Sequence, residues 1–284
     1  MVDVVQTLGE VLAWGTGALS RAGVVEPRRE AFRLWSDGHD RTAAMATLAG
    51  AEPVGAEAAS RFRDSIRRRL AGEPVAYITG WTGFRRLTLH CDRRALIPRP
   101  ETEGLVDVAL ARARSGVAVD IGTGTGAIAL ALSDEGEFAD VIGVDVSPEA
   151  LALACSNGMA SGRPVTWLEG DLVAPLAGRQ VNLLVSNPPY LTQAEYDSLD
   201  RSVRDYEPAL ALVGGDDGQR LVRRLLHDAR SVVTPTGWIA LEVDCRRAED
   251  TGRIATAAGW ESVTVLDDLF GRARYVLARR GSTS

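Results

Sequence analysis

Residues 181–193 read VNLLVSNPPYLTQ, an apolar run that stops at Asn187-Pro188-Pro189-Tyr190. Consecutive prolines donate no backbone hydrogen bond and fix their own φ, so the loop they form is stiff. The Asn187 side-chain oxygen and the Pro188 carbonyl are two acceptors that can grip the hydrogens of one NH2 group. Tyr190 offers a ring face to a planar amide or base. Taken alone, the tetrapeptide is also a serviceable strand-ending turn, so its chemistry depends on its surroundings.

A second group lies upstream. VDIGTGTGAIALAL carries Asp120, Gly122, Thr123, Gly124, Thr125 and Gly126 between a strand pattern and a helix pattern. Glycines there permit a tight turn and close approach of a ligand to the backbone. The spacing G-x-G-x-G is not that of dinucleotide binders, and no Lys-Ser/Thr follows as in a P-loop. Asp145 ends the second strand, 19 residues after Gly126, where a carboxylate can take both hydroxyls of a ribose. Asp171 ends the third, placed to accept from an adenine amino group. Asp120 can accept from an amino or ammonium group. Acids after three successive strands, on one edge of a sheet, describe a single crevice.

The elements that must position these groups follow from the hydrophobic pattern. From residue 117 on, apolar runs (VAVDIG, DVIGVDV, PVTWLEGD, VNLLVS, GWIALEVD) alternate with helical stretches, the signature of an α/β domain with a largely parallel sheet. ESVTVLDD and ARYVLARR follow with only a short join and suit a C-terminal antiparallel hairpin. Pro100, Glu101 and Glu103 suit the first turn of a helix, as do Ser147 and Pro148 at the start of another. Residues 1–74 read as a small helical bundle. In AEAASRFRDSIRRRLAG, Ala58, Phe62, Ile66 and Leu70 form one stripe opposite an Arg-rich face. That face reads first as solvated, and second as a contact surface for an acidic partner. Residues 75–96 are β-branched and aromatic, with glycine breaks, and suit a β-hairpin connector to the domain over 97–284.

Composition narrows the classes. The chain of 284 residues is 45% hydrophobic, with a net charge of −6, which weighs against a protein held on nucleic acid by a basic surface. All 32 basic residues are Arg, so lysine chemistry is excluded. Cys91, Cys155 and Cys245 are scattered, and His39, His90 and His227 do not cluster, so neither a disulfide framework nor a metal site is expected. The amino-terminal segment lacks a basic leader and no apolar run reaches membrane-spanning length. A cytoplasmic protein without metal or membrane attachment is expected.

The order glycine loop, acid, acid, Asn-Pro-Pro-Tyr resembles that of S-adenosylmethionine-dependent methyltransferases with amino or amide nitrogen targets. EPVAYITGWTGF (73–84), ALIPRPETEGLV (95–106), NPPYLTQAEYDSLDRSVRDYEPALALVGGDDG (187–218) and DDLFGRARYVLARR (267–280) are similar to the HemK-type protein-(glutamine-N5) methyltransferases. The likeness covers roughly residues 73–280, and the helical region before it fits by layout. It implies a seven-stranded, Rossmann-like class I methyltransferase sheet behind a small N-terminal helical domain. The implied reaction is methylation of a glutamine side chain in the Gly-Gly-Gln loop of a class I peptide-chain release factor. Gly122 to Gly126, Asp145, Leu172 and Asn187 would contact the cofactor, and Asn187, Pro188, Pro189 and Tyr190 would hold the glutamine. The N-terminal domain and residues 81–95 would help dock the partner to a monomeric enzyme.

Two departures stand out. LEVDCRRAED keeps Glu242 but lacks the glycine and glutamine that commonly follow it in that family, altering the segment Val243 to Asp250. Leu172 stands where some members have a bulky aromatic. Both leave room for a diverged member acting on a small amide or amine. Competing readings are N-methylation of a nucleic-acid base, which predicts a basic face, and a non-catalytic cofactor-binding or docking protein, against which the intact Asn187 loop speaks.

Overall fold

The computed structural model describes residues 6–36 and 50–281. His39, the first five residues and the last three lie outside the described residues. The chain divides into two units, Met1–Gly80 with Arg201–Tyr206, and Trp81–Asp200 with Glu207–Ser284.

In the first unit, β1 (Gln6–Thr7) leads into α1 (Leu8–Arg21) through a capping box: Glu10 N donates to the Thr7 hydroxyl, and Thr7 N to the Glu10 carboxylate. Each bond satisfies an amide that the helix start leaves without a partner. After α2 (Pro27–Ser36), β2 (Pro53–Val54) pairs antiparallel with β1, and α3 (Ala56–Leu70) and α4 (Val75–Thr79) follow. Leu8, Val11, Leu12, Leu34, Trp35, Phe62 and Ile66 form the core. Phe62 meets Trp14 and Trp35 edge-on at 6.4 and 5.6 Å. The stripe on α3 drifts: Ala59 is buried beside Phe62 and Ile66, while Leu70 is exposed. Residues four apart advance slightly more than one turn, so a row at that spacing slides off the buried face. Arg61, Arg67, Arg68 and Arg69 are ion-paired with Glu57, Asp64, Glu73 and Glu30. Val75–Thr79 is helical where strand was expected. Pro74 presets the entry, Gly80 ends the turn at φ 77°, and the Thr79 hydroxyl donates to Val75 O.

The second unit begins with the hairpin β3 (Trp81–Phe84) and β4 (Leu87–His90), then α5 (Pro100–Leu110), with Pro100 in its first turn. There follow β5 (Ser115–Ile121), α6 (Ala127–Glu135), β6 (Glu137–Asp145), α7 (Pro148–Ser161), β7 (Thr166–Glu169) and β8 (Val181–Ser186). The short α8 (Gln193–Asp197) comes next; α9 (Arg201–Arg204) belongs to the first unit. The chain closes with α10 (Arg220–Asp228), β9 (Val233–Glu242), α11 (Ala248–Ala257), β10 (Trp260–Asp267) and β11 (Ala273–Arg280).

Seven strands form one sheet in the order β10-β11-β9-β8-β5-β6-β7. The pairs from β9 to β7 are parallel, and β11 lies antiparallel between β9 and β10. Alternate strand residues serve two cores. Val119, Ile121, Leu184 and Ile239 face α10 and α11, while Ala118, Leu183, Val185 and Ala240 face α5 and α6. Burial on both faces explains why these strands read as continuous apolar runs. Strand order reverses between β5 and β8, and the crevice outside the carboxyl ends at such a switch point is where ligands bind in open α/β sheets.

Candidate active site

The chain leaves β5 through three left-handed glycines, Gly122, Gly124 and Gly126 (φ 74°, 55° and 83°). Gly122 N and Thr123 N both donate to Val144 O, at 2.8 and 2.9 Å, pinning the loop to β6. A side chain at Gly126 would crowd Trp167 and Ala154, at 3.0 and 3.2 Å from the new Cβ. Asp120 lies fully buried beneath the loop. Its Oδ2 accepts from the Thr123 hydroxyl (2.6 Å) and from Ala129 N (3.1 Å), while Oδ1 has no partner among the described residues. Burial pushes its carboxyl up to about 7, against those hydrogen bonds, with the charge of Asp145 adding to the rise. Asp120 therefore braces the loop and is not among the residues lining the cavity in front of it. Buried Asn157 is a second brace. Its Nδ2 donates to Thr125 O and His90 O, and its Oδ1 accepts from His90 N.

Asp145, at the end of β6, does face the cavity. Its two oxygens accept from Gly124 N at 2.8 Å and Ser147 N at 3.0 Å. Ser147 then caps α7, accepting from Ala150 N, with Pro148 in the first turn. Asp171 lines the same cavity but is ion-paired with Arg224 at 2.7 Å. Any ligand amino group reaching Asp171 meets a carboxylate that an arginine already holds. Leu172 lines the cavity at φ 50°, a left-handed conformation uncommon outside glycine.

The Asn187 loop starts where the Ser186 hydroxyl donates to Ile121 O at 2.6 Å, tying the ends of β8 and β5 together. Asn187 Nδ2 donates to Thr102 Oγ1 at 3.2 Å. Among the described residues that leaves Asn187 Oδ1 as an uncommitted acceptor. Asn187 and Pro189 line the cavity, while Pro188 and Tyr190 are not among its lining residues. Burial pushes the Tyr190 hydroxyl up to about 12, and the Glu242 charge adds to the shift. Beyond Tyr190, Leu191 N donates to Leu212 O and Gly214 N to Leu191 O. A Cβ on Gly214 would collide with Pro189 O, and one on Gly218 with Tyr190 O. The glycines of VGGDDG are thus the bed on which the Pro-Pro-Tyr backbone lies.

Several positioning residues escaped the sequence reading. Glu207, buried, accepts from Ile97 N at 3.1 Å and from Arg99 Nη2. It clamps the IPRP segment onto the cavity, which Leu96, Pro98, Arg99, Pro208 and Leu210 line from that side. The signal was a glutamate between Tyr206 and Pro208, quoted above for its resemblance alone. The altered segment also has a role: Arg247 pairs with Glu195 and Asp244 and reaches Tyr190 O at 3.5 Å. Arginine and aspartate there hold the loop's far side.

The cavity encloses about 420 Å³, within the range for small-molecule and cofactor sites. Its donor set suits S-adenosylmethionine. Glycine backbone leaves room at the end of β5, each Asp145 oxygen retains capacity for a hydroxyl, and Ile128, Val146, Ala150 and Leu172 supply apolar walls. Among the described residues no cluster suited to a metal ion occurs, and no helix is long and apolar enough to cross a membrane.

Comparison with known proteins agrees with this geometry. Residues 10–80 match the model of the PrmC N-terminal domain, and residues 102–215 that of the methyltransferase small domain. A release factor glutamine methyltransferase of Deinococcus radiodurans is 42% identical over 278 residues, covering 96% of this chain and 98% of the relative. One from Moorella thermoacetica is 39% identical over 96% and 99%, and one from Bacillus subtilis 34% over 96% and 98%. Among solved structures, a methyltransferase from Pyrococcus furiosus superposes with a TM-score of 0.54 at 18% identity, over 69% of this chain and 90% of that one. The T. thermophilus 16S rRNA N2 G1207 methyltransferase gives 0.52 at 17%, over 70% and 50%. These two likenesses concern the fold.

Proposed function

The chain belongs to the release factor glutamine methyltransferases, and from that premise we propose that it transfers a methyl group from S-adenosylmethionine to the side-chain nitrogen of a glutamine in a release factor. The glutamine of a Gly-Gly-Gln loop in a class I factor is the target this reading carries. The observation behind it is the uncommitted Asn187 Oδ1 on a proline-stiffened loop at the edge of the cofactor-sized cavity.

An amide nitrogen is a weak nucleophile because its lone pair is delocalised into the carbonyl. S-adenosylmethionine, when bound, supplies an activated sulfonium methyl. The chain's task is then orientation. Asn187 Oδ1 and the Pro188 carbonyl accept the two hydrogens of the glutamine NH2 and favour the pyramidal form of the nitrogen. Tyr190 backs the amide plane. Such positioning is worth up to about 7–11 kcal/mol in well-aligned systems, and fixed dipoles add to it. Gly122 to Gly126, Asp145 and Leu172 hold the cofactor, and the proton displaced from nitrogen leaves to solvent. With a release factor as partner, the setting is the cytoplasm.

The reading is tested by offering the enzyme labelled S-adenosylmethionine with a release factor, a Gly-Gly-Gln peptide, rRNA and DNA in parallel. Label in the factor alone is expected. Label in either nucleic acid but not in the factor would overturn the assignment.

A further inference from the structure

The hairpin that closes the sheet ends in an apolar tip. β10 and β11 are joined by Asp268-Leu269-Phe270-Gly271-Arg272. Leu269 is 92% exposed and Phe270 69%, and they are the only sequence neighbours among the exposed large apolar side chains of the described residues. Single exposed apolar residues are ordinary, but an adjacent pair begins a patch. The backbone beneath them is fixed. Asp268, itself buried, accepts from Phe270 N at 2.9 Å and Arg272 N at 3.0 Å through Oδ1, and from Arg274 Nε at 2.7 Å through Oδ2. Its own N–H donates to Arg272 O at 2.8 Å, Gly271 N donates to Asp268 O at 2.9 Å, and Gly271 takes φ 73° to close the turn. A buried acid thus holds rigid a turn whose two apolar side chains stand in water.

The register sets this tip beside the Asn187 loop. Tyr275 pairs with Glu242 on β9, and Leu241 pairs with Ser186 on β8, one residue before Asn187. The hairpin register slips between Leu266 and Asp267, leaving Arg274 as the extra residue of a bulge, and Arg274 O accepts from Val243 N at 2.9 Å. Bulges bend a strand and re-aim what it carries, and they recur next to active sites. The Tyr275 hydroxyl donates to Glu101 O at 2.6 Å, beside Thr102, the residue that takes Asn187 Nδ2. The tip therefore rises from the same carboxyl edge as the Asn187 loop, two strands away, or roughly 10 Å at about 4.8 Å per strand.

We propose that Leu269 and Phe270 form a docking surface for an apolar patch of the release factor, next to the loop that carries the target glutamine. This rests on the assignment of a release factor as substrate. The clamp grips one side chain, so a folded protein that presents that side chain must lay the surface flanking its loop on the carboxyl edge. A stable interface buries about 800 Å² on each partner, a patch roughly 30 Å across. Centred on Asn187, a patch of that width takes in a tip roughly 10 Å to one side. Interface centres are poor in charge and rich in aromatic side chains, and an anchor already held in place loses little freedom on binding. The fixed tip is such an anchor. It adds affinity for the whole protein and takes no part in the transfer of the methyl group.

The test compares wild type with the double substitution Leu269→Ser and Phe270→Ser, which leaves Asp268 and its bonds in place. Binding of the intact release factor is followed by calorimetry in the presence of S-adenosylhomocysteine, and methyl transfer by steady-state kinetics. The double substitution should raise both the Kd and the KM for the factor about tenfold. The kcat at saturating factor and the Kd for S-adenosylhomocysteine should not change, and Phe270→Met with Leu269 intact should keep most of the affinity. A Kd and KM within about twofold of wild type would overturn the docking surface. So would a loss of S-adenosylhomocysteine binding, which puts the effect of the tip inside the cofactor site. Sedimentation of the enzyme alone supplies a further arm: self-association that the double substitution abolishes would seat a second copy on the tip and contradict the proposal. A wild type that neither binds nor methylates the factor overturns the proposed function and the docking surface with it. A wild type that does both, beside an unaffected variant, overturns the docking surface alone.

Discussion

Replacing Asp145 with asparagine is conservative in shape and is predicted to be nearly as damaging to cofactor binding as replacing it with alanine. Both carboxylate oxygens already accept a backbone N–H, from Gly124 at 2.8 Å and from Ser147 at 3.0 Å. An asparagine must turn its NH2 toward one of these donors, so one side of the bracket becomes donor against donor whichever way it lies. Hydrogen bonds to a charged group are worth about 1.5–3 kcal/mol each, and a donor left unpaired costs about 1–3 kcal/mol. The cavity is open to water, which offsets part of the loss, leaving about 2–4 kcal/mol. That corresponds to a cofactor Kd weakened about 30- to 1000-fold, at 1.4 kcal/mol per tenfold. Titration calorimetry of wild type, Asp145→Asn and Asp145→Ala with S-adenosylmethionine measures this directly. If Asp145→Asn binds within about threefold of wild type while Asp145→Ala does not, the bracket is unimportant and the reasoning fails.

Three further outcomes follow from the same geometry. Asn187→Ala removes one preorganised partner of the reacting amide and should lower kcat by about 10²–10³; methyl-transfer kinetics within tenfold of wild type would exclude it from the clamp. Asp120 has a folded pKa of about 7 against about 3.9 in an unfolded chain, so the folded state holds the extra proton between those values. Its contribution to stability is complete below the lower value and is lost as pH rises through the upper one. Urea denaturation should therefore show Asp120→Asn gaining on wild type between pH 5 and pH 8, and an equal difference at both pH values would refute the buried titration. Glu207→Ala frees Ile97 and Arg99 from the cavity wall and should cost about 2–3 kcal/mol, less than a fully buried pair because Arg99 is partly exposed. At about 2–4 °C per kcal/mol for domains of this size, differential scanning calorimetry should register the drop, and an unchanged Tm would rule the clamp out.

The central parallel strands were legible because they are buried on both faces, which turns them into mostly apolar runs such as LLV in β8 and WIAL in β9. The glycine loop and Asp145 were legible because their spacing follows from one βαβ unit. Residues 75–79 misled because a short helix set by Pro74 and Gly80 overrides the β-branched composition between them. Thr102, Asn157 and Glu207 were not assigned roles, since each acts on a partner far away in sequence: Thr102 on Asn187, Asn157 on Thr125 and His90, Glu207 on Ile97. Local pattern carries no record of such pairings. The trace they leave is a polar residue inside a largely apolar stretch, as Asn157 stands in ALACSNGMA. The ion pair between Asp171 and Arg224 was hidden for the same reason.

The most direct measurement is mass spectrometry of an intact release factor after incubation with this enzyme and S-adenosylmethionine, followed by fragment mapping. The account predicts a mass gain of one CH2 located on the side-chain nitrogen of the glutamine in the Gly-Gly-Gln loop, absent when Asn187→Ala replaces wild type. A factor that stays unmodified under conditions where the enzyme binds its cofactor, or a methyl group found on any other residue, would contradict it.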